Sequence, residues 1–440
     1  MVGYAIGLLF TLLVLCVSDL DARYNLSQFT LKNGLSVICL KKKTTPIISF
    51  SMWYKCGSAN DAVSKSGVAH YLEHMACEFD KRKFSDFLED IGAESNAFTS
   101  LRSICFYEIV PCEHLEKIFE YESRRMKAID IDDAVFLSEK GAILEERSMR
   151  CDSSPEGSAF ESLGANAFNR TAGGISIIGW KSEIESLQPQ DLLDYHKAWF
   201  APNNAILLII GDIPDLEQIK KLAEKYFGNI EKKEILRWEE DSSRPSCVKE
   251  VTYASPKIGY TNIEYSYHVP FSHRENLRKS LALGLAIDVI NQPDSFIRKI
   301  LENDLKKARY VYFSYIEGYF PYDIASIGIR SFSLNDRIDS EKICDYLLKK
   351  LLLTGISKNN LDVVKKQKQL EMAYKKDDIG SMSRYVGHLL SNGYSMEEIQ
   401  FMDDVVQSIT VEECNSVLRE VFSLDPVVIS KVVPKGYDRD

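Results

Sequence analysis

The residues most able to do chemistry lie in the segment GVAHYLEHMACEF, residues 67–79. On a helix, residues three and four apart share a face, so His70, Glu73 and His74 project together. Two neutral imidazoles placed in this way can bind a zinc ion, and the carboxylate beside them can take a proton from a water that the ion activates. The spacing predicts a hydrolytic metal site, for which a third protein ligand is needed.

The sequence offers two candidates for the third ligand. Cys77 follows His74 by three residues on the same face, but three ligands from one straight helix crowd a tetrahedral ion. Glu146 lies 72 residues after His74 in another predicted helix and can approach from a different direction. Glu139, two turns before Glu146, is placed to orient a histidine from behind. We therefore expect Glu146 to be the third ligand and keep Cys77 as the alternative.

Spacing alone does not exclude an ordinary structural role for these residues. A histidine pair on one helix face is often a surface or core feature, and neighbouring glutamates such as Glu145 and Glu146 are usually solvated. The elements around the motif must therefore decide between the two interpretations.

Strands and helices alternate irregularly around the motif. Asn33-Gly34 is a hairpin-turn signal between two alternating segments. The segment PIISFSMWYKCG predicts a further strand ahead of the histidine helix, and Gly92 ends a later helix before a short strand. Long helical patterns follow at residues 112–129 and 132–150. This mixed order predicts the α+β class.

The chain divides into two similar halves. With 440 residues it is too long for one ordinary domain. The polar segment EEDSSRPS predicts a linker at 239–246 between a metal-bearing domain, 23–238, and a second domain, 247–440. Near the C-terminus, VLREVFSLDPVVISKVVP resembles YHKAWFAPNNAILLIIGD, with Phe422 falling where Phe200 falls. Only the first half carries the histidine motif.

The N-terminus predicts export. Residues 1–18 contain no charged side chain and include an apolar run that is short for a membrane span, which predicts a signal peptide at 1–22. An uncleaved membrane anchor is the alternative, since no Lys or Arg precedes the apolar run. The nine cysteines after Cys16 are scattered and odd in number, unlike a disulfide framework. A formal charge of −10 argues against nucleic acid as a partner.

At this point the sequence resembles the inverted-motif zinc peptidases, the family of pitrilysin, insulin-degrading enzyme and mitochondrial processing peptidase. LKNGLSVICL, GVAHYLEHM, GAESNAFTS, SEKGAILEERSM and FAPNNAILLIIGD occur in the family's order. The chain is most similar to the short bacterial and mitochondrial members. The resemblance implies one zinc ion per chain bound by His70, His74 and Glu146, with Glu73 as general base and Glu139 supporting the site.

The resemblance also implies a fold and a substrate. Two homologous domains, each a mainly antiparallel sheet packed with helices, would form half of a clam-shaped peptidase chamber. The segment Asn96, Ala97, Phe98 and Thr99 would lie near the cleft at a sheet edge, where an extended peptide can add as another strand. The implied activity is a zinc endopeptidase acting on peptides or unfolded segments, with the bacterial periplasm as the expected compartment.

The second domain departs from the family pattern. Active single-chain members carry there an arginine and a tyrosine that grip the substrate backbone. Here Glu302 or Asn303 stands at the arginine position, and Tyr310 or Tyr312 is the candidate tyrosine. We therefore expect a heterodimer in which a homologous subunit without zinc supplies both groups, although a homodimer is also compatible with the pattern.

Two rival functions follow from the same residues. One is a non-catalytic scaffold or assembly subunit of the same fold, a class that usually loses the metal ligands this chain keeps. The other is a structural zinc site completed by Cys77. Metal content, and its response to changes at Cys77 and Glu146, distinguishes them.

Overall fold

A computed structural model describes residues 26–43, 45–78, 81–168, 172–236, 247–303, 309–317, 322–331 and 340–436. The predicted signal peptide, 1–22, and the predicted linker, 239–246, lie outside these residues. Within them, every helix is too short or too polar to cross a membrane.

The described strands form two sheets. Their bounds are β1 (Leu26–Thr30), β2 (Ser36–Lys41), β3 (Ile47–Tyr54), β4 (Glu94–Thr99), β5 (Ile104–Pro111), β6 (Ala205–Gly211), β7 (Lys249–Ser255), β8 (Thr261–His268), β9 (Arg309–Ile316), β10 (Ile324–Ser331) and β11 (Val428–Pro434).

The helices pack on these sheets, which confirms the α+β class. Their bounds are α1 (Val68–Glu78), α2 (Lys81–Asp90), α3 (Leu115–Lys127), α4 (Asp133–Arg147), α5 (Pro155–Ala167), α6 (Lys181–Ser186), α7 (Pro189–Trp199), α8 (Leu216–Phe227), α9 (His273–Asn291), α10 (Phe296–Asn303), α11 (Ser340–Thr354), α12 (Lys358–Asp377), α13 (Ile379–Ser391), α14 (Met396–Ser408) and α15 (Val411–Phe422).

The first sheet has the strand order β1-β2-β6-β3-β5-β4. All neighbouring strands are antiparallel except β2 and β6, which are parallel. The predicted hairpin at Asn33-Gly34 joins β1 to β2, and Gly34 adopts the positive φ of 93° that this turn requires. Strand β4 forms one edge of the sheet and pairs with β5 alone among the described strands.

The second sheet repeats the topology of the first. Its order is β7-β11-β8-β10-β9, and only β7 and β11 are parallel. In the first sheet β6 lies between β2 and β3 and runs parallel to β2. In the second sheet β11 lies between β7 and β8 and runs parallel to β7. Phe200 and Phe422 occupy equivalent places, each at the end of a helix that leads into the last strand of its sheet. The duplication predicted from these two segments is thus visible in the strand order.

Both faces of the first sheet are covered. Phe50 and Met52 of β3 face the core made with the helices of the first half, whereas Trp53 faces α13 of the second half. Gly387 lets α13 approach closely, because a Cβ there would lie 2.1 Å from the Trp53 ring. A strand buried on both faces must be apolar throughout, which explains the AILLIIG sequence of β6.

The second sheet has one apolar and one polar face. Ile263 and Ile327 point into the core formed with the helices of the second half. On the other face Asn262, Glu264 and Ser326 look toward α5 and residues 173–178 of the first half. A cavity of about 340 Å³ lies between them.

Candidate active site

Helix α1 presents the histidine motif from a buried position. His70 and Glu73 are 7% and 8% exposed, and His74 is half-buried. Asp61 holds the start of this helix: its carboxylate accepts hydrogen bonds from the backbone N–H groups of Gly67, at 2.7 Å, and Ala69, at 3.1 Å. These are among the N–H groups that a helix start leaves without an intrahelical partner.

Two glycines bring a distant loop against the start of α1. Gly67 and Gly179 have φ of +87° and +90°, which an L side chain rarely adopts. A Cβ on Gly67 would lie 2.6 Å from the Ile178 carbonyl oxygen, and one on Gly179 would lie 2.5 Å from the Ser66 carbonyl oxygen. The two backbones therefore touch directly, and this contact fixes where the histidine helix begins.

Helix α4 carries Glu139 and Glu146 to the histidines. Its first turn is capped by the Asp132 carboxylate, which accepts from two backbone N–H groups. The Tyr71 ring of α1 stacks on the Phe136 ring of α4 at 4.8 Å, and the Tyr71 hydroxyl donates to the Phe136 carbonyl. This contact sets the two helices side by side.

His70, His74 and Glu146 converge on one point. Oε2 of Glu146 lies 3.5 Å from Nε2 of His70 and 3.7 Å from Nε2 of His74. This oxygen is buried and has no hydrogen-bond partner among the described residues. Ligand atoms around a tetrahedral zinc ion lie about 3.3 Å apart, given bonds of about 2.0–2.2 Å. The two distances from Glu146 are slightly longer than this value, and all three ligand atoms lie within 4.8 Å of one another, an arrangement that could hold a metal ion.

The surroundings of the two histidines are compatible with the predicted role as ligands. Burial lowers the pKa of His70 to about 3, with smaller contributions from His74 and Arg150. A neutral imidazole cannot form an ion pair with Glu146, but its Nε2 lone pair can coordinate a cation. Nδ1 of His74 lies 3.0 Å from Oε2 of Glu139, the arrangement that leaves Nε2 free for a metal.

Cys77 does not join this group. The potential ligand atoms that cluster in the described residues come from His70, His74 and Glu146. Burial also raises the pKa of the Cys77 thiol to about 12.

Glu73 lies on the same helical turn as the two histidines. Burial raises its pKa above the usual range, and a hydrogen bond of 2.6 Å from Thr99 Oγ1 to its Oε2 acts in the opposite direction. Thr99 is the last residue of edge strand β4. The predicted substrate strand is therefore joined directly to the predicted general base.

The four residues of the predicted substrate segment have different surroundings. Asn96 is exposed, and its Oδ1 accepts from the Ala97 backbone N–H at 2.8 Å. The Phe98 ring instead packs edge-on against the Trp53 ring, with centroids 5.4 Å apart.

A cavity of about 320 Å³ adjoins the site on the β4 side. Its lining includes Glu73 and His74, the aromatic rings of Phe84, Phe106 and Tyr121, and the guanidinium of Arg125. Arg125 is buried with two carboxylates, Glu108 and Glu122, and stacks on the Phe106 ring at 4.2 Å.

Sequence reasoning missed the groups that support Glu146. Arg147 is buried and donates two hydrogen bonds, 2.8 and 2.7 Å, to the Glu161 carboxylate of α5 and one to the Gly179 carbonyl. Arg150 pairs with Oε1 of Glu146 at 2.7 Å. The only sequence signal for the second contact was the i,i+4 spacing of Glu146 and Arg150.

The structure describes only some of the second-domain residues that were considered for the substrate-gripping arginine and tyrosine. Glu302 and Asn303 occupy the last turn of α10, and their side chains lie outside the described part of the chain. The Tyr312 hydroxyl donates to Glu264 at 2.6 Å, whereas Tyr310 is 44% exposed. The Arg298 guanidinium, which sequence reasoning did not consider, lies 4.9 Å from the Tyr310 ring centroid.

Comparison with known proteins identifies the family. Residues 36–180 match the profile described as Insulinase (Peptidase family M16), and residues 186–368 match the Peptidase M16 inactive domain. The two stretches together include well over half of the chain. The chain belongs to peptidase family M16. The resemblance to the inverted-motif zinc peptidases is thereby confirmed.

The M16 relatives with similar sequences include proteases and processing-peptidase subunits. A zinc protease, PqqE, of Helicobacter pylori is 30% identical over 233 residues, which are 51% of this chain and 52% of that protein. The mitochondrial-processing peptidase subunit beta of Lentinula edodes is 29% identical over 214 residues, 47% of this chain and 46% of the subunit. The chain thus spans about half the length of the curated relatives it matches.

Solved structures of M16 proteins share the fold over most of the chain. A protease from Helicobacter pylori superposes with a TM-score of 0.82 over 94% of this chain and 100% of its own, at 21% identity. The periplasmic protease PqqL of Escherichia coli gives 0.74 over 94% of this chain but 48% of its own, at 17% identity. At these identities the likeness concerns the fold alone.

Proposed function

We propose that this chain is a zinc-dependent endopeptidase that cleaves peptides or unfolded protein segments. The observation that carries the proposal is the convergence of His70, His74 and Glu146 on one buried point, with Glu73 in the same helical turn as the two histidines. Membership of the M16 family, and the zinc protease name of the Helicobacter relative, support the same activity.

Each residue has a defined part in the proposed reaction. His70, His74 and Glu146 would hold one zinc ion, which when bound acidifies water and polarises a carbonyl group. The Glu73 carboxylate takes a proton from the attacking water while the water oxygen bonds to the peptide carbonyl carbon. As the C–N bond breaks, Glu73 passes that proton to the departing amine. Glu139 holds the His74 ring in place from Nδ1.

Edge strand β4 would receive the substrate. An extended peptide can add to a free edge through main-chain hydrogen bonds, which bind many sequences. Asn96 is the exposed position of the segment, Thr99 links the strand to Glu73, and Phe98 anchors it through Trp53. This arrangement suits substrates that are already unfolded.

Replacement of Glu73 tests the proposed activity. Glu73→Gln should abolish cleavage of an unstructured reporter peptide and leave about one zinc per chain, since the amide cannot accept the proton but the three ligands remain. Glu89→Gln, on the neighbouring helix α2, is a matched control that should cleave normally. Full cleavage by Glu73→Gln would remove the general-base role.

We also propose that a homologous subunit without zinc completes the enzyme by supplying the substrate-gripping arginine and tyrosine. The absence of arginine at positions 302 and 303 supports this. Arg298 of α10 and Tyr310 of the edge strand β9, which are in contact, offer a pair within this chain that would make the partner unnecessary. Full activity of the purified chain, unchanged on adding the homologous subunit and lost in Arg298→Met, would favour the second arrangement.

The proposed compartment is the bacterial periplasm. The apolar N-terminal segment supports it. Fractionation of the source cells, combined with N-terminal sequencing of the mature chain, distinguishes a cleaved signal peptide near residue 22 from a retained membrane anchor.

A further inference from the structure

We propose that Arg150 is a positioning residue for the metal ligand Glu146, and that helix α5 holds it in that place. The inference rests on the proposed zinc site and concerns how its carboxylate ligand is oriented. It starts from the unequal surroundings of the two Glu146 oxygens.

The two oxygens of the Glu146 carboxylate have different neighbours. Oε1 forms an ion pair with Nη2 of Arg150 at 2.7 Å, while Oε2 faces both histidine Nε2 atoms and is buried without a hydrogen-bond partner among the described residues. A carboxylate with both oxygens free can rotate and bind an ion through either oxygen or both. With Oε1 engaged by a cation, Oε2 alone is presented to the metal.

Arg150 lies on an unusual piece of backbone. Helix α4 ends at Arg147 and continues as a π-helical turn, Ser148–Asp152, closed by a 2.8 Å hydrogen bond from Ser153 N–H to the Ser148 carbonyl. π-helical turns are rare and occur frequently at functional sites. A turn of this kind needs support from neighbouring elements to persist.

Helix α5 provides that support. Gly157 lies so close to the turn that a Cβ would stand 2.0 Å from the Arg150 carbonyl oxygen, so that only glycine fits. Ser158 Oγ donates to the Cys151 carbonyl at 2.7 Å. The Glu161 carboxylate accepts two hydrogen bonds from Arg147, the residue between Glu146 and the turn. Three residues on the first two turns of α5 thus hold the segment that carries Arg150.

The exposure of Arg150 argues against a purely structural role. Its side chain is 68% exposed and lies at the rim of the cavity between α5 and the second sheet. An exposed surface ion pair adds little to the free energy of unfolding. Its effect should therefore be visible in metal binding and not in stability.

Zinc affinity of three variants tests the assignment. Arg150→Met removes the charge and keeps the length, Arg150→Lys restores a cation, and Arg278→Met breaks a comparable arginine pair with Glu413, 2.6 Å, far from the site. Loss of a residue that orients a ligand typically weakens metal binding about 10- to 100-fold. We expect that loss in Arg150→Met, substantial recovery in Arg150→Lys, and wild-type affinity in Arg278→Met.

The readouts separate this inference from the proposed function. Zinc affinity is measured by competition with a chromophoric chelator. Thermal unfolding of the metal-free proteins should be unchanged. The visible spectrum of the Co²⁺-loaded Arg150→Met protein should shift as Glu146 reorients. Equal or tighter zinc binding by Arg150→Met overturns the inference; tighter binding would mean that Arg150 competes with the ion. A wild-type chain that binds no zinc would instead overturn the proposed function.

Discussion

The Thr99 hydroxyl donates a hydrogen bond of 2.6 Å to Oε2 of Glu73. This contact connects the edge strand, where a peptide would bind, to the carboxylate that would accept the proton. It also leaves Oε1 as the oxygen available to water. Binding and chemistry are therefore coupled through a single side chain.

Removal of that hydroxyl should impair catalysis without affecting the metal. A hydrogen bond to a charged group contributes about 1.5–3 kcal/mol, so Thr99→Val should lower kcat at least about 10-fold. Zinc content should stay at the wild-type level, and Thr99→Ser, which keeps the hydroxyl, should retain most of the activity. Unchanged kcat in Thr99→Val would show that Glu73 needs no such orientation.

The Asp61 cap should matter for both stability and metal binding. Asp61→Ala leaves two backbone N–H groups at the start of α1 without their acceptor, and loss of such a cap costs about 0.5–2 kcal/mol of unfolding free energy. Because His70 lies in that first turn, zinc affinity should fall as well. The control is Asp215→Ala, which removes the cap of α8. It should lower stability alone, and an equal loss of zinc affinity there would remove the specific role of Asp61.

The ion pair between Arg147 and Glu161 should contribute strongly to the free energy of unfolding. Its side chain is 5% exposed and that of Glu161 is 11% exposed, so Arg147→Met leaves a largely buried carboxylate without its cation. Such a break costs about 3–5 kcal/mol, measured as the free energy of unfolding in urea. Lys117→Met, which breaks an exposed pair with Glu120, should change it by less than about 1 kcal/mol. Similar losses in the two variants would contradict the assignment.

Burial of His196 predicts a specific pH dependence of stability. Burial lowers its pKa from 6.5 to about 4, and Nε2 lies 2.9 Å from the Arg125 carbonyl oxygen. Between these pH values the unfolded chain binds a proton that the folded chain does not, so the free energy of unfolding falls as pH falls, by about 3 kcal/mol in total. His196→Gln keeps a donor for the carbonyl but cannot titrate, and should lose less stability over this range. Parallel curves for the two proteins would contradict the prediction.

Local patterns predicted the helix that carries His70, Glu73 and His74, because three- and four-residue spacings determine which side chains share a face. The strand order of the two halves followed the duplication seen at Phe200 and Phe422. Residue-level reasoning favoured Glu146 over Cys77, and the family resemblance assigned it as a ligand.

Apart from the i,i+4 pair of Glu146 and Arg150, the supporting contacts could not be predicted, because they join residues on different elements. Nothing in the spacing of Arg147 and Glu161 indicates that α5 folds back on α4. The contact between Gly67 and Gly179 depends on two backbones meeting across 112 residues. Likewise, the first sheet has a second apolar face that includes Trp53, and α13 of the second half covers it. The sequence of the first sheet shows that this face must be covered but not which helix covers it.

Metal content of three purified proteins tests the central claim most directly. The wild-type chain and Cys77→Ser should each contain about one zinc ion, and Glu146→Gln should lose most of it, because an amide is a poor replacement for a carboxylate ligand. A Glu146→Gln protein that keeps its zinc, beside a Cys77→Ser protein that loses it, would contradict the account.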